Sequence, residues 1–364
     1  YMRKDGRAAA SAMYEGKRIT KYGKTKKEAW ENLQAVLDDL KQGKAVIGPK
    51  QTVKQYLEHW LENERRLRIR ASTLIKYREI LHGYLIPAFG HLQLSQLSSE
   101  QVQALYALLI DKGLAAKTIK HVHTVLYGAL KDAVKHGLLA KNVCTYVTLP
   151  RGKKFEAHPL SQDECLRLIA AAHGHRLWFL ILLAITTGAR RGELLALRWS
   201  DVNPTKKLIY IHRTVARLTG MGFVENEPKT VSSIRNVQLS QVVLDSFEEQ
   251  RQYIASVRLA AGSSWVENDL VFPNRDGSYL DHWVIAQQFT RVLQKAGLPH
   301  IRFHDLRHSA ATLLLASGVN VKVVQEMLGH SDIHITLGMY AHVLPTMQQE
   351  AVQKIENMFG GEKR

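Results

Sequence analysis

The stretch Phe303-His304-Asp305-Leu306-Arg307-His308, followed by Leu328-Gly329-His330 and, ten residues past that histidine, Tyr340, decides the reading of this chain. On a helix, positions three apart share a face, so His304 and Arg307 can address one ligand. Arg307 offers a planar fork that matches two phosphate oxygens, and His304 and His330 could donate to the same group. Tyr340 carries a hydroxyl that could attack it. A phenol ionises near pH 10, so crowded positive charge must lower that cost.

Working outward, Thr186-Thr187-Gly188-Ala189-Arg190-Arg191-Gly192-Glu193 follows a nine-residue apolar run, Leu177 to Ile185. The run predicts a buried helix that ends at Gly188 and fixes Arg190 at the edge of a core. Leu208 to Val215 alternates like a strand, and Phe223-Val224 and Ile234 to Leu239 are read as further strands. Lys229, in Pro228-Lys229-Thr230, then falls at a turn of a small antiparallel sheet, where its ammonium could reach into a groove. Helices are expected near Gln241 to Leu259, Asp281 to Ala296 and Asp305 to Ala316.

Five boxes therefore occur in order: Thr-Gly-Ala-Arg-Arg-Gly-Glu, Pro-Lys-Thr before Ser232-Ser233-Ile234-Arg235, His-Asp-Leu-Arg, Leu-Gly-His and Met339-Tyr340. In that order they resemble the boxes of the tyrosine recombinases, above all the lambda-type integrases of phages and conjugative elements. The resemblance covers about residues 155 to 345 and is weaker upstream.

It implies a site-specific DNA recombinase that cleaves and rejoins strands through a 3′-phosphotyrosine and a Holliday junction. Tyr340 would be the nucleophile, and Arg190 and Arg307 would hold the non-bridging oxygens. Lys229 would protonate the departing 5′-oxygen, His304 would assist proton transfer from Tyr340, and His330 would bind the phosphate. Glu193 would orient Arg190. The phosphotyrosine retains the bond energy, so no nucleotide or other cofactor is expected. The implied partners are double-stranded attachment sites, three further copies of the chain in a tetramer on DNA, and DNA-bending and directionality proteins. Two alternatives remain: a type IB topoisomerase-like enzyme, and a DNA-binding regulator whose boxes are idle.

Composition agrees with a polyanionic partner. Across 364 residues, 50 Lys plus Arg oppose 33 Asp plus Glu, a net charge of +17 with a pI near 9.8. Such an excess favours phosphate neutralisation, although a basic exterior can also be merely solvated. The two cysteines, Cys144 and Cys165, lack paired spacing, so idle thiols in a reducing bacterial cytoplasm are expected. The longest apolar stretch is too short for a membrane span. His304 and His308 stand four apart like a metal pair, but Asp305 occupies the place where a zincin needs Glu and no third ligand is evident; no metal is expected. His308, His334 and His342 are read as spectators.

The expected fold class is multidomain and mainly α with small antiparallel sheets. Residues 1–45 form a small ββ(β)α domain: Asp-Gly and Glu-Gly turns separate short strands, and Thr25-Lys26-Lys27-Glu28 caps one helix. The resemblance makes this an arm-site DNA-binding domain, opening at Tyr1 and so expected to lack its first residues. Its candidate contacts are Lys17, Arg18, Lys21 and Lys24. Residues 50–148 form a four-helix core-binding domain. There Thr52 caps the first helix, Ser72 or Thr73 caps a second that stops before Pro87, Ser98 opens a third with a capping box, and Thr118 begins a fourth ending at Gly137. Arg65, Arg66, Arg68, Arg70, Lys117 and Lys120 are its candidate phosphate contacts. Lys153 and Lys154 lie in a basic linker. Residues 155–364 form the α+β catalytic domain, opened by a capping box at Ser161 and closed by a C-terminal exchange helix beyond Pro345.

Overall fold

Three helices start the same way, with a hydroxyl taking the amide three residues ahead while that residue's side chain returns to the hydroxyl residue's amide. These reciprocal pairs are Thr52–Gln55, Ser98–Gln101 and Ser161–Glu164, each satisfying two donors that a helix start leaves orphaned. They appear in a computed structural model that describes residues 1–2, 6–14, 17–41, 51–152, 158–227, 231–332 and 356, with the side chains at 17, 39–41 and 231 excepted. The chain forms two units, Tyr1–Lys154 and Phe155–Arg364.

The first unit opens with antiparallel strands β1 (Ala8–Tyr14) and β2 (Lys17–Gly23), then helix α1 (Lys26–Lys41). Leu33 of α1 and Ile19 of β2 are the buried contacts between them. Beyond these two strands, the described residues before Lys41 add one bridge, Met2 to Ala8.

Four helical segments follow. Helix α2 (Val53–His59) continues as a π-turn, Trp60–Arg65. Helix α3 (Ala71–Ile80) continues as a second π-turn, Leu81–Leu85, into α4 (Ile86–Phe89). Then come α5 (Ser99–Asp111) and α6 (Ala116–Lys135). Val53, Leu57, Trp60, Leu81, Leu85, Val102, Tyr106, Val122, Leu126 and Leu130 make one core.

Three expectations need correction here. Pro87 does not stop the second helix: the π-turn pairs the Ile86 amide with Leu81, and Pro87 falls in the first turn of α4, where an amide would be an orphan anyway. That helix starts at Ala71 with Arg70 in the cap position, ahead of Ser72 and Thr73, and α6 starts two residues before Thr118. The polypeptide turn at the helix end, not a side-chain oxygen, sets those boundaries.

The second unit packs helices around a three-stranded sheet. Its elements run α7 (Gln162–Ala172), α8 (Trp178–Thr187), α9 (Arg191–Leu195), β3 (Val202–Asn203), β4 (Leu208–Ile211), β5 (Thr214–Leu218), β6 (Gly222–Asn226), β7 (Arg235–Gln238), α10 (Gln241–Ala261), α11 (His282–Lys295), α12 (Asp305–Ala316) and α13 (Val321–Leu328). Strands β3, β4 and β7 form one antiparallel sheet, and β5 with β6 forms a separate hairpin. The single strand expected over Leu208 to Val215 is thus two, broken at His212 and Arg213, whose side chains turn onto the buried carboxylate of Asp201. Helix α13 was not anticipated.

Helix α8 is buried on nearly every face, with Phe179 in its first turn against Phe247 and Phe272 at ring separations of 4.6 and 5.6 Å. A helix apolar all round belongs in a core, and this one anchors the site at its C-terminal end. Among the described residues no helix is long and apolar enough to cross a membrane.

Candidate active site of the second unit

Helix α8 ends on Gly188, whose φ of 62° is left-handed and whose missing side chain leaves room for Leu328: a Cβ there would lie 2.4 Å from Leu328 Cδ2. Two residues later Arg190 caps α9. The Glu193 carboxylate accepts the Arg190 backbone amide at 2.9 Å and its guanidinium Nη1 at 2.7 Å. Glu193 is 3 % exposed and Arg190 is 37 % exposed, so the carboxylate is committed to the protein while one face of the guanidinium meets solvent.

Arg307 lies in the first turn of α12. Its Nη1 donates to the Gly188 carbonyl oxygen at 2.8 Å, and the residue is 4 % exposed. The turn before it is locked by Asp305, which accepts the Arg302 amide and, at 3.1 and 2.7 Å, Nε and Nη2 of the Arg302 guanidinium. Ser309, fully buried, accepts the Leu160 amide and donates to the Asp305 carbonyl, fastening α12 to the start of α7.

Helix α13 ends on Gly329, again left-handed with φ 68°. Its carbonyl oxygen accepts Nη2 of Arg190 at 3.0 Å. The backbone of His330 is held at both ends by Gln325, whose carbonyl takes the His330 amide and whose side-chain amide donates to the His330 carbonyl. The boxes therefore interlock: the first arginine binds the turn before His330, and the second binds the turn before the first.

His304 caps α12, with its ring 5.7 Å from that of His308. Crowding by protein atoms, and then the charge of Arg307, push the His304 pKa down to about 4, even though its outer edge is open to solvent. His330 is buried, and burial with Arg307 and Arg190 beside it lowers its pKa to about 3. Both imidazoles are neutral at pH 7 in the protein alone. His308, expected as a spectator, stands among the same charges, and its pKa is lowered as well, first by burial. The group brings together Arg190, Glu193, His304, Arg307 and His330. Lys229 and Tyr340 lie outside the described residues, as do Lys153, Lys154 and the expected exchange helix.

Sequence reasoning missed one member. Arg235 is 7 % exposed and donates to Glu193 through Nη2 at 2.9 Å, to the Met327 carbonyl through Nε at 2.7 Å and to the Ser233 carbonyl through Nη1 at 3.0 Å. The signal was available in the alternation of β7, where Arg235 shares the inward register of Val237 and pairs with Ile211. A charge at an inward strand position must have partners.

Of the candidate DNA contacts in the first unit, Arg18, Arg66, Arg68, Arg70, Lys117 and Lys120 are exposed, as is Lys24, while Lys21 is half-buried. Lys17 is described by its backbone alone. Arg65 differs: at 26 % exposure it lies over the Trp60 ring, 5.1 Å from its centre, beside Asp132. Among the described residues no group of three His, Cys, Asp or Glu is placed to hold a metal ion.

The sequence profile of the phage integrase family matches residues 158–347, and that of the phage integrase N-terminal SAM-like domain matches residues 52–109. A tyrosine recombinase XerC-like protein of Caldanaerobacter subterraneus is 34 % identical over 94 % of this chain and 93 % of its own length. The chain belongs to the phage integrase family of tyrosine recombinases. It is a site-specific recombinase, an enzyme that breaks and rejoins DNA strands. The ICEBs1 integrase of Bacillus subtilis is 26 % identical over 77 % of this recombinase and 76 % of its own chain. Among solved structures, the Tn1549 transposon integrase in complex with transposon right end DNA superposes with a TM-score of 0.71 at 20 % identity, covering 85 % of this chain and all of that one. The lambda integrase tetramer bound to a Holliday junction gives 0.60 at 18 % identity, covering 93 % of both chains. These two likenesses show the fold.

Proposed function

We propose that this recombinase integrates and excises a mobile element by phosphoryl transfer at one site, built from Arg190, Lys229, His304, Arg307, His330 and Tyr340. The Tyr340 oxygen attacks a scissile phosphorus, the bond to the 5′-oxygen breaks, and a 3′-phosphotyrosine forms. The phenol proton passes to His304 and the leaving 5′-oxygen takes a proton from Lys229. A 5′-hydroxyl of the partner strand then reverses the step. Charge builds on the non-bridging oxygens, so fixed donors matter most. Arg190 and Arg307 supply them, and a neutral His330 adds a hydrogen bond without further cationic crowding.

The observation that carries this reading is the interlock of Arg190 with the Gly329 turn and Arg307 with the Gly188 turn, which gathers four of the six residues into one group. In this reading residues 1–45 bind arm sites, 50–148 clamp the core duplex through Arg66, Arg68, Arg70, Lys117 and Lys120, and 155–364 carry the chemistry. The working form is a tetramer on paired attachment sites in the bacterial cytoplasm, joined by exchange of the C-terminal helix and assisted by DNA-bending and directionality proteins.

The test is a duplex copied from the junctions flanking the element and nicked beside the cleavage position, so that the 5′-hydroxyl fragment diffuses away. Wild type should accumulate a covalent 3′ adduct and Tyr340→Phe none. An undiminished adduct in Tyr340→Phe would remove the assigned nucleophile.

A further inference from the structure

Arg235 is a buried cation that the proposed chemistry leaves unused. Its three nitrogens are all directed into protein, to Glu193, Met327 and Ser233, so it offers nothing to DNA. What it does hold is placed unusually for a scaffold residue. Glu193 is the carboxylate on Arg190, and the Met327 carbonyl is one of the last on α13, two residues before the Gly329 carbonyl that Arg190 takes. A Cβ on Gly329 would sit 2.9 Å from Nη1 of Arg235, so the turn before His330 rests on this guanidinium.

The charges make the second half of the argument. Glu193 bridges two guanidiniums, Arg190 through Oε1 and Arg235 through Oε2. With Arg235 present the three groups carry one net positive charge, and the half-exposed Arg190 is where an anion can reach it. Without Arg235, Glu193 would neutralise Arg190 alone, and the pair would face a phosphate with no net charge. A buried carboxylate so close would offset much of the attraction in a low-dielectric site.

We propose that Arg235 is a positioning residue for strand cleavage: by occupying Glu193 and the end of α13, it keeps the charge of Arg190 available to the scissile phosphate and sets the turn that presents His330. This rests on the reading of Arg190 as a phosphate ligand.

The experiment measures single-turnover adduct formation by the full chain on the nicked junction duplex, with the scissile group either an ordinary phosphate or a methylphosphonate, which has one negative charge fewer. Arg235→Met should slow the phosphate reaction by about 30-fold, less than the loss expected from removing a direct donor. On methylphosphonate the deficit should shrink below about 5-fold, since less charge then needs stabilising. The double variant Glu193→Gln with Arg235→Met restores the net charge and should recover most of the phosphate rate, and Arg235→Lys should lie between. Rates are referred to the folded fraction from circular dichroism; if Arg235→Met does not fold, Arg235→Lys and the double variant carry the comparison. Equal deficits on both substrates with no relief from Glu193→Gln, or a wild-type rate in Arg235→Met, would overturn the inference. A wild type that forms no adduct, or a Tyr340→Phe that still does, would instead overturn the reading beneath it.

Discussion

The guanidinium of Arg190 donates to the carbonyl oxygen of Gly329, 3.0 Å away across 139 positions of sequence. That bond joins the end of α13 to the start of α9, and its counterpart from Arg307 to Gly188 joins α12 to the end of α8. Both acceptors are carbonyls of buried glycines at left-handed helix ends, where the helix dipole leaves the oxygen electron-rich. Gly188→Ala tests the arrangement. A side chain there must adopt an unfavourable φ and displace Leu328, so unfolding should become easier by about 2 kcal/mol or more. Thermal melts check this, and cleavage should fall further than the folded fraction does. An unchanged melting temperature would contradict the packing described.

Arg190→Ala and Arg307→Ala should each reduce adduct formation by on the order of 100-fold or more, while DNA affinity falls only modestly, because phosphate contacts elsewhere position the duplex. Electrophoretic binding beside single-turnover cleavage separates the two quantities. Equal losses in both would make these arginines docking groups.

Much of this site was legible before the fold. Helix α12 begins and ends where the spacing predicts, and the apolar run ahead of Gly188 became the buried helix α8. The boxes singled out Arg190, His304, Arg307 and His330, which the fold gathers into one group, because each box is short and local. What sequence could not convey was which side chain shares which partner. Arg235 looked like one basic residue among many, and only the β7 register turns it inward. His308 was set aside as an extra histidine beside the boxes, although its spacing already put it near His304. Pro87 misled because proline ends an α-helix, and the π-turn before it leaves no local mark.

Acidification should destabilise the second unit well above the carboxylate range. His330 and His304 have folded pKa values of about 3 and about 4 against 6.5 unperturbed. The unfolded chain therefore binds more protons as the pH falls through 6.5, and the stability present above that pH drains away toward the folded values. Melting temperatures at pH 7.5, 6 and 5 should decline, and His330→Gln should flatten the slope. A flat profile over that interval would contradict the neutral, crowded imidazoles.

In the first unit, Asp132 accepts the buried indole N–H of Trp60 at 2.8 Å and sits beside Arg65. Asp132→Ala should cost about 1–3 kcal/mol in urea unfolding, the penalty for leaving a buried donor without its acceptor. A change within error would mean the indole finds another partner.

Arg65 and Arg68 should separate in their effects. Arg65→Ala should lower the melting temperature through lost packing on Trp60, whereas Arg68→Ala should leave it unchanged and reduce the salt dependence of DNA binding by about one counterion. Matched salt titrations and melts check this. A reversed pattern would exchange their assignments.

The π-turn at Leu81–Leu85 accommodates an extra residue within one turn of the rod from Ala71 to Phe89. Excising any one of those five residues would restore ordinary α pairing and bring the ring of Pro87 against a carbonyl one turn back. The damage would come from that clash, since the bulge and the extra residue leave together and Phe89 keeps its facing. The length of this segment is thus as constrained as its composition, and a deletion here should be far more damaging than a conservative substitution at the same five positions.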